Sequence, residues 1–149
     1  MKKNILLVSS HGGHLTELLE LQDCFQGHNL FYFTYFEATT QALPNATYFE
    51  NFAEHPLRFP SVMFKMAQRL KALRPDVILS TGAELAVPAF YLGKALFGAR
   101  LIYMECSAQV RTPSLTGRLV YPVTDLFIVQ WEALKNKYGK KARYAGGLI

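Results

Sequence analysis

Short runs rich in β-branched and aromatic residues alternate along the chain with segments of helical period, and this alternation constrains the fold more than any other feature. Asn4 to Ser9, Asn29 to Phe36, Ala46 to Phe52, Val77 to Ser80, Arg100 to Glu105 and Leu126 to Val129 read as strands, with Ala142 to Tyr144 as a further short one. Helices are expected at about Leu15 to Phe25, Ser61 to Leu73, Glu84 to Phe97, Ser114 to Tyr121 and Glu132 to Tyr138. In the first of these Leu15, Leu18, Leu19, Leu21 and Phe25 make the buried stripe. Thr39 to Leu43 reads as a short turn or helix stopped by Pro44, and Pro88 falls in the first turns of its helix, where a missing amide donor costs least. The expectation is an α/β fold with a Rossmann-like, doubly wound parallel sheet, a single domain over residues 1–149.

Half of the residues are apolar and 18% are charged, so the chain can build a core and is excluded from the disordered class. Cys24 and Cys106 make no disulfide framework, which suits a reducing compartment. The stretch Leu85 to Met104 is interrupted by Lys94, Gly98 and Arg100, and Ile5 to Val8 is too short for a signal-peptide core. A cytoplasmic protein without a membrane span is expected. The net charge of +5 favours an anionic partner without distinguishing nucleic acid, anionic lipid or a phosphorylated sugar.

Ligands of such sheets bind beyond the carboxyl ends of the strands, which directs attention to Ser9 to His14, Thr81-Gly82, Glu105-Cys106-Ser107 and Gln130-Trp131. Gly12 and Gly13, between a strand and a helix, make either a phosphate cradle or a tight turn. Neither the G-x-G-x-x-G nor the G-K-[ST] spacing is present, so no nucleotide cofactor is expected. His11 and His14 flank the glycines; an imidazole at a helix amino terminus suits a neutral base, or simply a hydrogen-bonding surface residue. Two histidines lacking a third ligand make a poor zinc site, and no metal is expected. Glu105 either accepts from sugar hydroxyls or orients a histidine, or else caps a helix, and Cys106 reads as a small buried residue rather than a nucleophile.

Along Ser61 to Leu73, Val62, Met63, Met66, Leu70 and Leu73 share the core arc, while Lys65, Gln68, Arg69 and Lys71 surround Phe64 on the opposite side. With Leu57, Arg58 and Phe59 this is either a patch that sits on an anionic bilayer, with Phe64, Lys65 and Arg69 in contact, or a solvated face with one exposed Phe. Lys135, Lys137, Lys140, Lys141 and Arg143 read as solvated helix surface.

Ser-Ser-His-Gly-Gly-His-Leu after the first strand, Arg-Pro-Asp-Val-Ile-Leu-Ser-Thr-Gly, Tyr-Met-Glu-Cys, Ser-Leu-Thr-Gly-Arg-Leu-Val-Tyr-Pro and Asp-Leu-Phe-Ile-Val-Gln-Trp occur in that order. Together they resemble the acceptor-side subunit of the two-chain UDP-N-acetylglucosamine transferase of lipid-linked oligosaccharide assembly, in particular its bacterial relatives of capsular and exopolysaccharide synthesis. The chain is also similar to the amino-terminal half of the peptidoglycan lipid-linked N-acetylglucosaminyltransferase, a GT-B enzyme. The resemblance implies the amino-terminal, acceptor half of a GT-B glycosyltransferase. Residues 145–149 then stand about where a one-chain enzyme crosses into its donor-nucleotide domain, so a separate donor-binding subunit is expected.

On this resemblance Gly12, Gly13 and His14 match the glycine-rich loop that faces the acceptor and its diphosphate; Ser10, His11, Thr81 and Gly82, which also follow strands, are expected to bind the acceptor and its diphosphate with them. Glu105 matches an acidic residue of the cleft, and Arg111 to Gly117, with Arg111 and Ser114, match a loop beside it. His14 is the expected base, with Glu105 in support. Ser9 and Ser10 depart from the glycines of the peptidoglycan enzyme. The first strand begins at residue 4, where the eukaryotic subunit carries a membrane anchor, so peripheral contact with the inner face of the plasma membrane is expected. The expected function is a subunit of an inverting transferase that moves the glycosyl group of a UDP-sugar, of N-acetylglucosamine, galactose or glucuronate type, to a polyprenyl-diphosphate-linked acceptor in capsular or exopolysaccharide synthesis, inactive alone. Two alternatives are a non-catalytic enhancer of a complete transferase and a stand-alone nucleotide-binding regulatory module; the second leaves the ordered motifs unexplained, and no nucleic-acid partner is expected.

Overall fold

The apolar runs become strands because they are covered on both faces. In the computed structural model, which describes residues 1–37, 40 and 42–148, they form one seven-stranded sheet. Its strands are β1 (Asn4–Val8), β2 (Asn29–Tyr35), β3 (Ala46–Phe49), β4 (Val77–Ser80), β5 (Arg100–Met104), β6 (Leu126–Val129) and β7 (Ala142–Tyr144). They lie in the order β3-β2-β1-β4-β5-β6-β7 with every pairing parallel, a Rossmann-like arrangement. The helices are α1 (Gly13–Glu20), α2 (Phe59–Leu73), α3 (Ala86–Phe97), α4 (Leu115–Val120) and α5 (Glu132–Tyr138). The turn or helix expected over Thr39 to Leu43 lies partly outside the described residues.

Alternation along β1 divides the core. Leu6 and Val8 pack with Val62, Met66 and Leu70 of α2, Phe90 of α3, Val120 of α4 and Leu134 of α5. Ile5 and Leu7 pack on the other face with Leu18 of α1, Tyr32 and Leu79. The two faces are therefore unequally clothed: α2 to α5 serve the larger cluster, α1 the smaller.

Several elements differ from expectation at their ends: β3 stops at Phe49 rather than Phe52, α3 begins at Ala86 rather than Glu84, α4 is one residue shorter at each end, and α1 and α2 depart as follows. α1 begins at Gly13 and stops at Glu20, after which Gln22–Phe25 winds as a 3-10 turn, with Cys24 N–H donating to Leu21 O at 3.0 Å. The tighter winding still leaves Leu19, Leu21 and Phe25 packed, partly buried, on the smaller cluster. α2 starts at Phe59, two residues earlier than expected, because Pro60 suits a first helical turn. It ends with Arg74 in the left-handed region at φ 45, and Pro75 prevents continuation. No helix among the described residues is long and apolar enough to cross a membrane.

Candidate functional site

The strand order reverses at β1 and β4, so the crevice beyond their carboxyl ends is where an open α/β sheet takes a ligand. His14, the second residue of α1, ties the two loops there together. Its Nδ1 lies 3.1 Å from Thr81 O, and the Thr81 hydroxyl donates to His14 O at 2.7 Å. A carbonyl only accepts, so Nδ1 carries the hydrogen, and in the neutral form of the ring the lone pair is on Nε2. The imidazole rests against Gly82, where an added Cβ would fall 2.5 Å from Cε1. Gly82 also holds φ at 136, a conformation side chains resist, and the Ser80 hydroxyl braces it by donating to its carbonyl and accepting from its N–H.

On the near side of this junction Gly12 turns the chain into α1 at φ 74, with open space where its own Cβ and that of Gly13 would stand. The first amides of α1 have no intrahelical partner and lie beside that opening. The Ser10 hydroxyl donates to His11 O at 3.3 Å. His11 itself is exposed, its Nδ1 3.7 Å from Glu37 Oε1, and with Glu50, Glu54, His55 and Arg58 it lines a cavity of about 330 Å³ beyond β1 to β3.

Glu105, one residue beyond β5, is buried. Its carboxylate accepts from Ser114 N–H at 3.2 Å, Ser114 Oγ at 3.0 Å, Tyr103 at 3.4 Å and the Tyr138 hydroxyl in a short contact. Ser114 Oγ in turn accepts from Gly117 N–H at 2.9 Å and caps α4. Gly117 makes the meeting possible: a Cβ there would overlap the Tyr138 hydroxyl and stand 2.6 Å from Glu105 Oε2. Burial, then the Glu105 hydrogen bond, pushes the Tyr138 phenol up, and burial with the charge of Glu105 does the same to Tyr103. No hydrogen bond among the described residues joins Glu105 to His14; its carboxylate is committed to the start of α4 and the end of α5. Arg111 lies exposed on the loop between Glu105 and Ser114.

Sequence reasoning overlooked Glu17. It is 1% exposed, one helical turn after His14, and accepts from Ser107 N–H at 2.9 Å, Ser107 Oγ at 2.5 Å, Cys106 Sγ at 3.4 Å and Gln130 Nε2 at 3.0 Å. Gln130 Nε2 donates also to Glu105 O at 3.1 Å, while its Oε1 accepts from Leu148 N–H at 2.8 Å. The available signal was its position: on a helical wheel Glu17 sits only about 60° from His14, at the margin of the apolar arc. Burial, followed by hydrogen bonding with Ala108 that acts against it and the charge of Glu17, leaves the Cys106 thiol raised, which disfavours a thiolate nucleophile.

On the outer surface Phe64 is 66% exposed and lines, with Gln68, Lys71, Leu96 and Phe97, a cavity of about 450 Å³. Arg69 is exposed. Lys65 is engaged elsewhere: its ammonium donates to Tyr48 O at 2.6 Å and lies 5.3 Å from the Phe49 ring centre. A second apolar surface joins α2 to α3 and α4, where Phe52, Phe59, Met63, Val87, Pro88 and Leu119 line a cavity of about 320 Å³. Leu57 stands fully exposed in the turn before α2. Among the described residues no group of three or more His, Cys, Asp and Glu side chains is placed to hold a metal ion.

Among solved structures, the chain is similar to MurG of Acinetobacter baumannii at TM-score 0.75 and 16% identity, over 97% of this chain and 45% of that one. It is likewise similar to the UDP-N-acetylglucosamine 2-epimerase of Rickettsia bellii at TM-score 0.74 and 13% identity, over 99% and 46%. Identities this low show the fold alone. In sequence, it is 38% identical over 99 residues to the UDP-N-acetylglucosamine transferase subunit ALG14 of Candida albicans, covering 63% of this chain and 44% of that protein. It is 36% identical over 93 residues to human ALG14, covering 58% and 40%. The chain thus spans less than half the length of these curated relatives. The family described as "Oligosaccharide biosynthesis protein Alg14 like" matches residues 45–148, a range that includes Thr81, Gly82, Glu105, Arg111 and Ser114 and leaves the His14 loop outside. A match over that share of the sequence places this chain in the Alg14-like family of oligosaccharide biosynthesis proteins.

Proposed function

We propose that this chain is the acceptor-binding subunit of a two-chain, inverting glycosyltransferase, and that it binds a polyprenyl-diphosphate-linked sugar while a separate donor-binding subunit supplies the UDP-sugar. The observation that carries this reading is the His14 junction: an imidazole tautomer fixed by Thr81 O, beside an open Gly12-Gly13 turn and at the switch point of the sheet. His14 Nε2 takes the proton from the acceptor hydroxyl as that oxygen attacks the anomeric carbon, and UDP departs from the opposite face. The amides of Gly12, Gly13 and the first turn of α1, with Ser10 and His11 at the rim, receive the acceptor diphosphate. Thr81 and Gly82 hold the imidazole. Glu105 supports it at one remove, keeping Ser114 and the Arg111 loop in place rather than touching the ring.

The names of the ALG14 relatives favour UDP-N-acetylglucosamine as donor. In the finer reading the polymer is a capsular polysaccharide or exopolysaccharide, and galactose and glucuronate donors belong to the same test. The apolar surface at Leu57, Phe59 and Leu119, with the exposed Phe64 and Arg69 of α2, rests on the cytoplasmic face of an anionic membrane and delivers the lipid-linked acceptor to the crevice, while Lys65 stays on Tyr48 O.

Binding of a radiolabelled polyprenyl-diphosphate-N-acetylglucosamine to the purified chain tests the acceptor role. The open space around Gly13 admits a side chain, so Gly13→Ala should bind within about threefold of wild type, whereas Gly13→Asp, which sets a carboxylate against the diphosphate, should bind at least tenfold more weakly. Equal binding by the two variants would refute the cradle.

A further inference from the structure

His14 is held on one side by Thr81 and Gly82, contacts made by its own ring and carbonyl. A further constraint on α1, beside the packing of Leu18 in the core, comes from a residue that is itself buried. Glu17 lies at i+3 from His14 on α1, so the two side chains leave neighbouring parts of one helical turn. All four of its partners are donors, which matches a carboxylate that only accepts. Two of those donors belong to Ser107, just past β5, and one to Gln130, just past β6. Gln130 spends its other contacts on Glu105 O and on Leu148 N–H, so the carboxyl ends of β5 and β6 and the chain near residue 148 are gathered onto α1 through a single buried carboxylate.

We propose that Glu17 is a positioning residue for His14: through Ser107 and Gln130 it locks the first turn of α1 onto the carboxyl ends of β5 and β6, so that the imidazole is fixed from both sides of the switch point. The inference rests on the transferase reading only for its kinetic consequence; the lock itself is a property of the folded chain. A glutamine at position 17 cannot satisfy the lock. Whichever way its amide turns, an NH₂ group meets a donor, either from Ser107 and Cys106 or from Gln130. Exchanging the pair restores the contact between positions 17 and 130, since the amide at position 17 then accepts from Ser107 and donates to the carboxylate at position 130, while Glu105 O loses the donor it has in Gln130.

The test compares Glu17→Gln, Gln130→Glu and the double exchange by amide hydrogen exchange of Ser107 and by transfer kinetics with the donor subunit present. Glu17→Gln should lower protection of the Ser107 amide and lower kcat at least tenfold, with KM for the acceptor changed by less than threefold. The double exchange should exceed both single variants in protection and in kcat while staying short of wild type, because a carboxylate oxygen then faces Glu105 O; general destabilisation by two substitutions would instead add the losses. Ser107→Ala removes one donor and carries the same prediction at smaller size if Glu17→Gln fails to fold. Ser107 protection unchanged in Glu17→Gln, or a double variant no better than the worse single one, would overturn the proposal. Protection lost and recovered as described, in a wild-type mixture that transfers no sugar, would keep the lock and refute the transferase reading.

Discussion

The His14 imidazole occupies the space that any side chain at position 82 would need: a Cβ on Gly82 would lie 2.5 Å from His14 Cε1 and 2.6 Å from Nδ1. The loop after β4 and the helix after β1 are therefore specified together, and the hydrogen bond from Nδ1 to Thr81 O forms only because residue 82 lacks a side chain. Gly82→Ala is expected to displace the ring as well as strain a backbone held at φ 136. The two effects should cost roughly 2–4 kcal/mol of stability. Urea denaturation checks the magnitude, and the His14 ring resonances in an NMR spectrum should shift even where the chain stays folded.

Gly117 makes the corresponding accommodation at Glu105. Gly117→Ala would force apart Tyr138, Glu105 and Ser114, and should destabilise the protein more than Tyr138→Phe, which removes one hydrogen bond and leaves the shape. The latter should cost about 1–3 kcal/mol, because it takes one donor from a buried carboxylate that keeps its two bonds from Ser114. Thermal denaturation of the two variants side by side gives the order; the reverse order would contradict the packing described.

Tyr35, Tyr103 and Tyr138 all have phenols raised by burial and then by a neighbouring carboxylate, Glu84 for the first and Glu105 for the other two. In the unfolded chain they ionise near the ordinary 10.0, and in the folded chain later, so above that pH the folded state binds more protons. Their stabilising contribution is complete below about pH 10 and is lost progressively as the pH rises further. Denaturant midpoints should fall steeply above pH 10, with Tyr138→Phe showing a shallower decline. An absorbance titration of the eight tyrosines should reach completion only on unfolding.

Membrane contact through the exposed apolar surface predicts that Leu57→Asp with Phe59→Asp weakens sedimentation with vesicles containing anionic phospholipid by tenfold or more, given about 1.5–3 kcal/mol for each large apolar side chain buried. Lys65→Ala should change little by comparison, because that ammonium is occupied by Tyr48 O. Lysines and aromatics on one helix face looked alike in the sequence; the structure separates Phe64, which is exposed, from Lys65, which folds back onto β3.

The order of strands and helices was legible because the central apolar runs, β1 and β4, are buried on both faces and the helices keep their period. The three missed features share one cause. Glu17 looks like any helix-surface carboxylate until Ser107 and Gln130, about 90 and 113 residues away, are brought to it by the sheet. Tyr138 and Gly117 acquire meaning only when α4 and α5 approach Glu105. Local pattern could place Glu17 at the margin of the apolar arc, but it carries no record of the partners met there. His14, Gly12, Thr81 and Gly82 could be picked out, since each follows a strand, yet nothing in their spacing revealed that the imidazole and Gly82 share one volume. The end of α1 at Glu20 escaped for a different reason: leucines at 18, 19 and 21 keep helical period straight through the 3-10 turn.

The central claim is that this chain supplies the acceptor half, and the base, of a transferase completed by another polypeptide. The most direct test is sugar transfer from UDP-N-acetylglucosamine to a polyprenyl-diphosphate-linked acceptor by this chain alone, by the donor-binding subunit alone, and by the two mixed, with wild type and His14→Gln compared in the mixture. Activity only in the wild-type mixture, with His14→Gln slower by about 10²–10⁴-fold, is the predicted result. Full activity in the donor-binding subunit alone, or a His14→Gln mixture as fast as wild type, would contradict it.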